Sequence, residues 1–326
     1  MKEKINWGIL ATGGIAAAMA KGLARVPDAH LAAVGSRTLE AADKFGRRFN
    51  VPKRYGSYEE LARDPEIDVV YVSTPHNLHS ENCLMLIREG KAVLCEKPFT
   101  INAAQAAEVI SLAREKKCFI MEAMWTRFLP AIVKVREILT KGLLGEIRML
   151  FASFGFKAEF DPQHRLFKPS LGGGALLDVG VYPVSFASMV FGQPSRISSQ
   201  CHLCETGVDE QSSVLLRYEL GQMAVLAAAV RTEIPQDAYI IGTEGTLRVH
   251  SPWWQSQKLS LKFGKREKVL KYPFKGNGFS FEAEEVMACL REGRLESDIL
   301  PLDESLSIME TMDKIRAQWG LKYPME

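Results

Sequence analysis

Residues Gly8 to Ala18 read GILATGGIAAA, an apolar run that breaks on small residues and two glycines and then restarts as an alanine-rich helical pattern. Set against the dinucleotide fingerprint G-x-G-x-x-G/A, the turn is Ala11-Thr12-Gly13-Gly14-Ile15-Ala16. Gly13 falls where a backbone must come close to a pyrophosphate, and the free N–H groups at the helix start favour an anion. Ala16 suits close packing of helix on strand, whereas Ala11 departs from the glycine of the first position. The same residues also suit a glycine-rich strand-to-helix turn with no ligand, so their surroundings decide.

Outward from this turn, the first third alternates two periods. INWGIL, LAAVGS, DVVYVST, AVLCEK and CFIMEA are short runs rich in Val, Ile and Ala, and helical patterns such as LEAADKFGRRF and NAAQAAEVISLAREKK separate them. Strands apolar on both faces, spaced by helices, predict βαβ units in a buried parallel sheet. Ser57 and Asn102 fall at helix starts, and Gly90 falls just past a helix end.

From about residue 145 the texture changes to short strands with Gly or Pro turns, among them EIRMLFASFGF, SSVLLRYEL and QMAVLAAAV. That predicts a second domain with a mostly antiparallel sheet. The expected division is 1–122 for the nucleotide-binding part and 123–326 for the rest. The closing helical segments FEAEEVMACLREG and LDESLSIMETMDKIRAQWG are expected to pack over the second sheet.

The composition excludes several classes. A chain of 326 residues with 47% hydrophobic and 25% charged residues is that of a soluble globular protein. A formal charge of +2 with no basic run argues against nucleic acid as a partner. The start MKEKINWGIL has no leader pattern, and no stretch is expected to reach the roughly 20 apolar residues of a membrane span. Six scattered cysteines suit a reducing cytoplasm, and the lone CxxC at Cys201–Cys204 reads as structural.

Several strand ends carry chemistry. After the second strand the chain offers Ser36 and Arg37 where an NAD site would offer Asp or Glu, which suits a 2′-phosphate and favours NADP(H), with NAD(H) also compatible. STPHNLH places Thr74, Pro75, His76, Asn77 and His79 at another strand end. His76 is expected beside a ligand, and no third local ligand completes a metal site. VLCEKPF ends a buried strand on Glu96, Lys97 and Pro98. LGGGALLDVGVYPV carries Asp178 and Tyr182, four apart and so on one face of a helix, although Pro183 disturbs that helix.

In order, GILATGGIA, STPHNLH, EKPFTINAAQA, EAMWTRFLP, LGGGALLDVGVYPV and GTEGTLRV resemble the glucose-fructose oxidoreductase/inositol dehydrogenase/MocA oxidoreductases over nearly the whole chain. EAMWTRFLP and the tail MDKIRAQWGLKYP look most like its dimeric dihydrodiol dehydrogenase branch. The resemblance implies a Rossmann domain, then an α/β domain whose open sheet forms a homodimer or higher homo-oligomer. It also implies hydride transfer between a nicotinamide and a sugar or cyclic diol, with trans-dihydrodiols, D-xylose and 1,5-anhydrofructose all compatible. The family lysine falls on Lys97, and its acid/base pair falls on Asp178 and Tyr182, with Tyr where inositol dehydrogenases carry His. The family's W-x-R-F motif falls on Trp125 to Phe128. Trp125, Arg127, Phe154 and Phe156 are expected at the substrate, and Thr12 to Ile15, Ser36, Arg37, the Thr74–His79 loop, Glu96 and Lys97 at the cofactor. Tyr182 would act as general acid/base, Lys97 as polarising partner or proton relay, and Asp178 would orient Lys97 or a substrate hydroxyl. The competing reading is a non-catalytic nucleotide sensor of the same fold, which would need none of these three together.

Overall fold

The computed structural model describes residues 3–326, which form two compact units that interleave along the chain: residues 3–128 with 275–305, and 129–274 with 306–326. The division expected from chain order, 1–122 and 123–326, places residues 275–305 with the second part, whereas their contacts place them in the first.

The first unit is built on six parallel strands: β1 (Ile5–Leu10), β2 (Ala29–Gly35), β3 (Lys53–Tyr55), β4 (Val69–Val72), β5 (Ala92–Glu96) and β6 (Ile120–Ala123). Their spatial order is β3-β2-β1-β4-β5-β6, so the order reverses between β1 and β4, where ligands bind in open α/β sheets. The connecting helices are α1 (Gly14–Leu23), α2 (Leu39–Phe49), α3 (Tyr58–Ala62), α4 (His79–Arg88) and α5 (Ala103–Lys116). The sheet is a dry core because its strands are apolar on both faces: Trp7, Ile9, Tyr71, Val93 and Leu94 are fully enclosed. The caps lie where the sequence puts them. Ser57 accepts from Glu60 N–H at 3.1 Å, Asn102 accepts from Gln105 N–H at 2.9 Å, and Gly90 takes φ +70° after α4.

The register aligns the strand ends. Leu10 pairs with Gly35 and with Val72, and Val72 pairs with Cys95. The residues that follow, Ala11, Ser36, Ser73 and Glu96, therefore begin their loops along one edge of the sheet.

Helix α8 (Phe279–Glu292) belongs to this first unit, which corrects the expectation that it covers the second sheet. It lies on α1 because Gly22 has no side chain: a Cβ there would sit 2.8 Å from Phe279 Cβ. Asn277 fixes the approach by donating to the Ala18 carbonyl at 2.8 Å.

The second unit holds α6 (Pro130–Thr140), α7 (Val181–Phe191) and eight strands: β7 (Ile147–Gly155), β8 (Arg196–Leu203), β9 (Asp209–Arg217), β10 (Met223–Ala229), β11 (Ala238–Gly242), β12 (Thr246–Val249), β13 (Lys258–Phe263) and β14 (Arg266–Lys271). The spatial order is β14-β13-β12-β11-β7-β10-β9-β8, antiparallel except for the β7–β10 pair. β9 and β10 pair as an antiparallel hairpin through Leu220-Gly221-Gln222. Burial alternates along the central strands. Leu150, Leu226, Val214 and Leu216 turn inward, whereas Phe151, Val225 and Leu215 stand on the other face, each 37% exposed. Helix α9 (Leu302–Trp319) opens among the residues of the first unit and continues among those of the second.

One expectation fails. Pro169–Phe191 is long and apolar enough to cross a membrane, and Asp178 is its only charge past Pro169. Yet 78% of its most apolar window is buried within the protein, as befits a core helix of this unit.

Candidate functional site

In the first unit, β1 delivers the chain into the Ala11–Gly13 turn. Ala11 takes φ +78°, a left-handed conformation that explains why the fingerprint prefers glycine there. Gly13 caps α1 without a side-chain hydrogen bond, and no acidic residue occupies the helix's first turn. A Cβ at Gly13 or Gly14 would meet no atom within 4 Å, so the helix start opens onto free space. Ile15 is 37% exposed and Ala16 is fully packed. After β2, Ser36 is buried with its N–H on the Tyr55 carbonyl at 3.1 Å, and Arg37 is exposed beside the α2 cap Thr38.

The loop after β4 is tied down from within. Ser73 Oγ donates to the Leu10 carbonyl at 2.6 Å, and Asn82 donates to Thr74 Oγ1 at 3.0 Å. His79, expected at the cofactor, is fully enclosed. Its Nδ1 lies 2.8 Å from the Pro98 carbonyl and its Nε2 lies 3.0 Å from the Thr74 carbonyl. Burial pushes its pKa down to about 4 against the pull of those carbonyls. The ring therefore couples the loop after β4 to the loop after β5 and has no surface left for a ligand. Pro75 and His76 are half-buried, as is Asn77, whose Oδ1 is buried with no hydrogen-bond partner among the described residues.

At the end of β5, Glu96 is buried and accepts the Tyr71 hydroxyl, and its Oε2 accepts the Lys97 N–H at 3.2 Å. Lys97 is half-buried, and its bond to Pro98 is cis. Glu282 of α8 is fully buried nearby in the electrostatic sense. Burial pushes its carboxyl well above the usual range and the charge of Glu96 adds to that. Nothing in the sequence pattern marked Glu282, which sits in an ordinary amphipathic helix. Beyond β6, Trp125 stacks on Phe279 at 5.1 Å and 13°. Arg127, expected at the substrate, is instead buried in an ion pair with Glu304 at 2.7 Å.

In the second unit, the glycine turn at 172–174 leads into a π-helical turn, Leu176–Gly180, and then α7. The disturbance expected from Pro183 is met by this wider turn, since proline supplies no N–H to the preceding helical ladder. Asp178 and Tyr182 are both buried at the junction. Asp178 Oδ1 accepts from Arg165 at 2.7 Å. Phe154 meets Tyr182 edge-on at 5.2 Å and Phe156 at 6.5 Å, and it stacks on Trp254 at 3.4 Å and 10°. Tyr182 therefore stands beside an aromatic wall in which Trp254 is an addition. Its only sequence signal was the isolated PWW after β12.

The fit to a nicotinamide dinucleotide rests on this geometry. The open Gly13–Gly14 helix start suits a pyrophosphate, the exposed Arg37 suits the adenosine end, and the unpartnered Asn77 Oδ1 offers an acceptor on the same sheet edge. Among the described residues no cluster of three or more His, Cys, Asp or Glu could hold a metal ion.

Comparison with known proteins gives the same picture. Residues 5–124 match the model of an oxidoreductase family with an NAD-binding Rossmann fold, and residues 132–248 match the GFO/IDH/MocA C-terminal domain. Trans-1,2-dihydrobenzene-1,2-diol dehydrogenase of Xenopus tropicalis is 39% identical, over 98% of this chain and 99% of the relative. The Homo sapiens protein of that name is 37% identical over 99% of each. Among solved structures, the 3-ketoreductase KijD10 of Actinomadura kijaniata, in complex with NADP and TDP-benzene, superposes with a TM-score of 0.86 at 26% identity, over 96% of this chain and 97% of the other. An aldose-aldose oxidoreductase of Caulobacter crescentus shares the fold, with a TM-score of 0.88 at 23% identity over 98% of each.

Proposed function

The chain belongs to the GFO/IDH/MocA family of NAD(P)-dependent oxidoreductases, and from that premise we propose that it passes hydride between NADP(H) and a secondary alcohol or ketone of a cyclic diol or sugar. The observation that carries the reading is Lys97, a half-buried ammonium at the end of a central strand, on the edge where Gly13, Gly14 and Asn77 leave room for a dinucleotide. Bound there, the cofactor supplies or accepts the hydride. The names of the full-length relatives favour a trans-dihydrodiol, and the Phe154–Trp254 wall beside Tyr182 suits a ring with an apolar face.

The chemistry assigned to the side chains follows from their pKa ranges. A phenol ordinarily titrates near 10 and is a poor base at neutral pH. In general an ammonium favours a phenolate and can hold an alcohol oxygen by a charge-assisted hydrogen bond. In the second unit Tyr182 takes or returns the hydroxyl proton and Asp178 is held by Arg165; in the first, the ammonium assigned to polarising the alcohol is Lys97. Arg37 and Ser36 in place of an acidic residue favour the 2′-phosphate of NADP(H) over NAD(H).

On this reading the exposed row Leu215, Val225 and Phe151, in register across β9, β10 and β7, is the face through which copies pair. The six free cysteines suit a reducing, cytoplasmic setting.

The deciding experiment is a panel of dihydrodiols and sugars followed by nicotinamide absorbance, with NADP⁺ and NAD⁺ in parallel, on wild type and Lys97→Met. Turnover in the wild type, with NADPH binding kept and turnover lost in the variant, is the expected result. A Lys97→Met protein with wild-type turnover would sink the assignment.

A further inference from the structure

We propose that Asp209 is a positioning residue for the reaction, aiming the Asp178–Tyr182 turn from beneath. This rests on the reading above, in which those two side chains handle the alcohol proton.

Asp209 opens β9 and is wholly enclosed in the second unit. Its Oδ2 accepts the Leu176 N–H at 2.7 Å, two residues before Asp178. That N–H belongs to the first turn of the helix, where backbone donors lack intrahelical partners and a negative charge complements the helix dipole. Its Oδ1 has no hydrogen-bond partner among the described residues and lies against Gly174. Gly174 takes φ +114° and leaves no space for a Cβ, which would collide with Oδ1. The carboxylate and the glycine thus occupy one another's only room.

A second clamp acts on the neighbouring residue. The Tyr323 hydroxyl donates to the Gly173 carbonyl at 2.6 Å. Tyr323 is itself fixed by the C-terminal strap, because its N–H donates to Glu326 at 2.7 Å and Arg316 holds Glu326 through two bonds of 2.9 Å. Arg316 also lies over the Tyr323 ring, 5.0 Å from its centre. Gly173 and Leu176 are therefore held at either side of Gly174, immediately ahead of the π-helical turn Leu176–Gly180 that carries Asp178.

The choice of residue argues for positioning over plain packing. A buried carboxyl with one unsatisfied oxygen is expensive, and an apolar side chain would fill the same space without that cost. What only an oxygen supplies is the bond that sets the pitch of the turn carrying Asp178 and Tyr182. In a reaction that needs a proton acceptor aligned with a hydride path, a displacement of about 1 Å costs on the order of 10²-fold in rate.

The test uses the full chain and four variants: Asp209→Ala, Asp209→Asn, Tyr323→Phe and Tyr182→Phe. Each is assayed for thermal midpoint, NADPH binding by fluorescence, and kcat and KM on the best substrate of the panel. Asp209→Ala should lose about 10²-fold in kcat with NADPH affinity unchanged. Asp209→Asn, whose amide oxygen still accepts from Leu176, should recover most of that loss. Tyr323→Phe should lose about threefold to tenfold in kcat through the other clamp. If Asp209→Ala fails to fold, Asp209→Asn and Tyr323→Phe carry the comparison. Wild-type kcat in Tyr323→Phe, or a loss in Asp209→Asn as deep as in Asp209→Ala, overturns the proposal. So does an Asp209→Ala enzyme at wild-type kcat while Tyr182→Phe is dead. Full turnover in Tyr182→Phe would instead overturn the parent assignment.

Discussion

Two glycine turns, ATGG at 11–14 and LGGG at 171–174, look alike as sequence and are opposites as structure. At Gly13 and Gly14 an added Cβ meets nothing within 4 Å. At Gly173 it would sit 2.8 Å from the carbonyls of Arg165 and Leu166, and at Gly174 it would collide with Asp209. The first pair keeps space for something outside the chain, and the second makes space for the chain itself. A glycine required for a ligand is silent in folding, and one required for packing is silent in binding. Substitution at the two turns should therefore separate the two properties.

The largest effect is expected at the packed turn. Gly174→Ala combines a side chain at φ +114° with a clash against a buried carboxyl, and should destabilise by about 3 kcal/mol or more. Denaturant titration measures this directly. A loss below about 1 kcal/mol would mean that the turn relaxes and that the clamp on Leu176 is loose.

The same turn holds a charge, so it should respond to pH. Burial pushes the Asp209 carboxyl up to about 6 from an unfolded value near 3.8, despite the Leu176 N–H and the positive charge of Arg316 from α9. Tyr323 and Cys201 also feel its charge. Between those two pH values the native state keeps a proton that the unfolded chain has released, so this group's contribution to stability falls as pH rises. The decline should total up to about 3 kcal/mol and be complete above pH 6. Asp209→Asn should flatten it, seen as a difference in unfolding free energy between wild type and variant that grows from pH 4 to pH 7. An unchanged difference across that range would show that the carboxyl is solvated. The open turn, which holds no acid, has no counterpart to this effect.

At the open turn the effect moves to binding. Gly13 sits at φ −74°, which alanine adopts without strain, so Gly13→Ala should change stability by less than about 1 kcal/mol. NADPH affinity should fall about tenfold or more, because the methyl occupies the approach of a pyrophosphate. Isothermal titration alongside a melting curve reads both quantities. Unchanged affinity would make the open space irrelevant to the cofactor.

The difference between the turns also marks what the sequence could show. The Rossmann half was legible because its signals are local: buried strands are apolar throughout, and Ser57, Asn102 and Gly90 stand at their helix ends. The packed turn was visible only as glycines, since its cause is Asp209, over thirty residues on. Arg165 on Asp178 and Trp254 on Phe154 were missed for the same reason. His79 and Arg127 were read as ligand contacts because a polar residue at a strand end reads alike whether it faces a ligand or ties two loops. Helix α8 was placed on the wrong sheet because amphipathicity shows that a helix has a buried face and leaves open against what. Gly22, which receives Phe279, carries no signature of its partner.

The smallest effect lies at Ala11, and it tests whether the open turn is strained for function. Ala11 holds φ +78° with its N–H on the Gly35 carbonyl at 2.9 Å. A left-handed residue with a Cβ costs roughly 1–2 kcal/mol, and glycine there would lose about 0.5–1 kcal/mol through the freedom it gives the unfolded chain. Ala11→Gly should therefore stabilise by about 0.5 to 1 kcal/mol, with NADPH affinity unchanged, since the strain lies in the chain's path. Chemical denaturation at constant pH with a parallel binding titration is sensitive enough. If the variant is less stable, the Ala11 methyl makes contacts that outweigh the strain, and the open turn is packed on that side after all. If it is more stable and binds NADPH more weakly, the strain itself sets the cradle, and the contrast between the two turns narrows to Gly13 and Gly14.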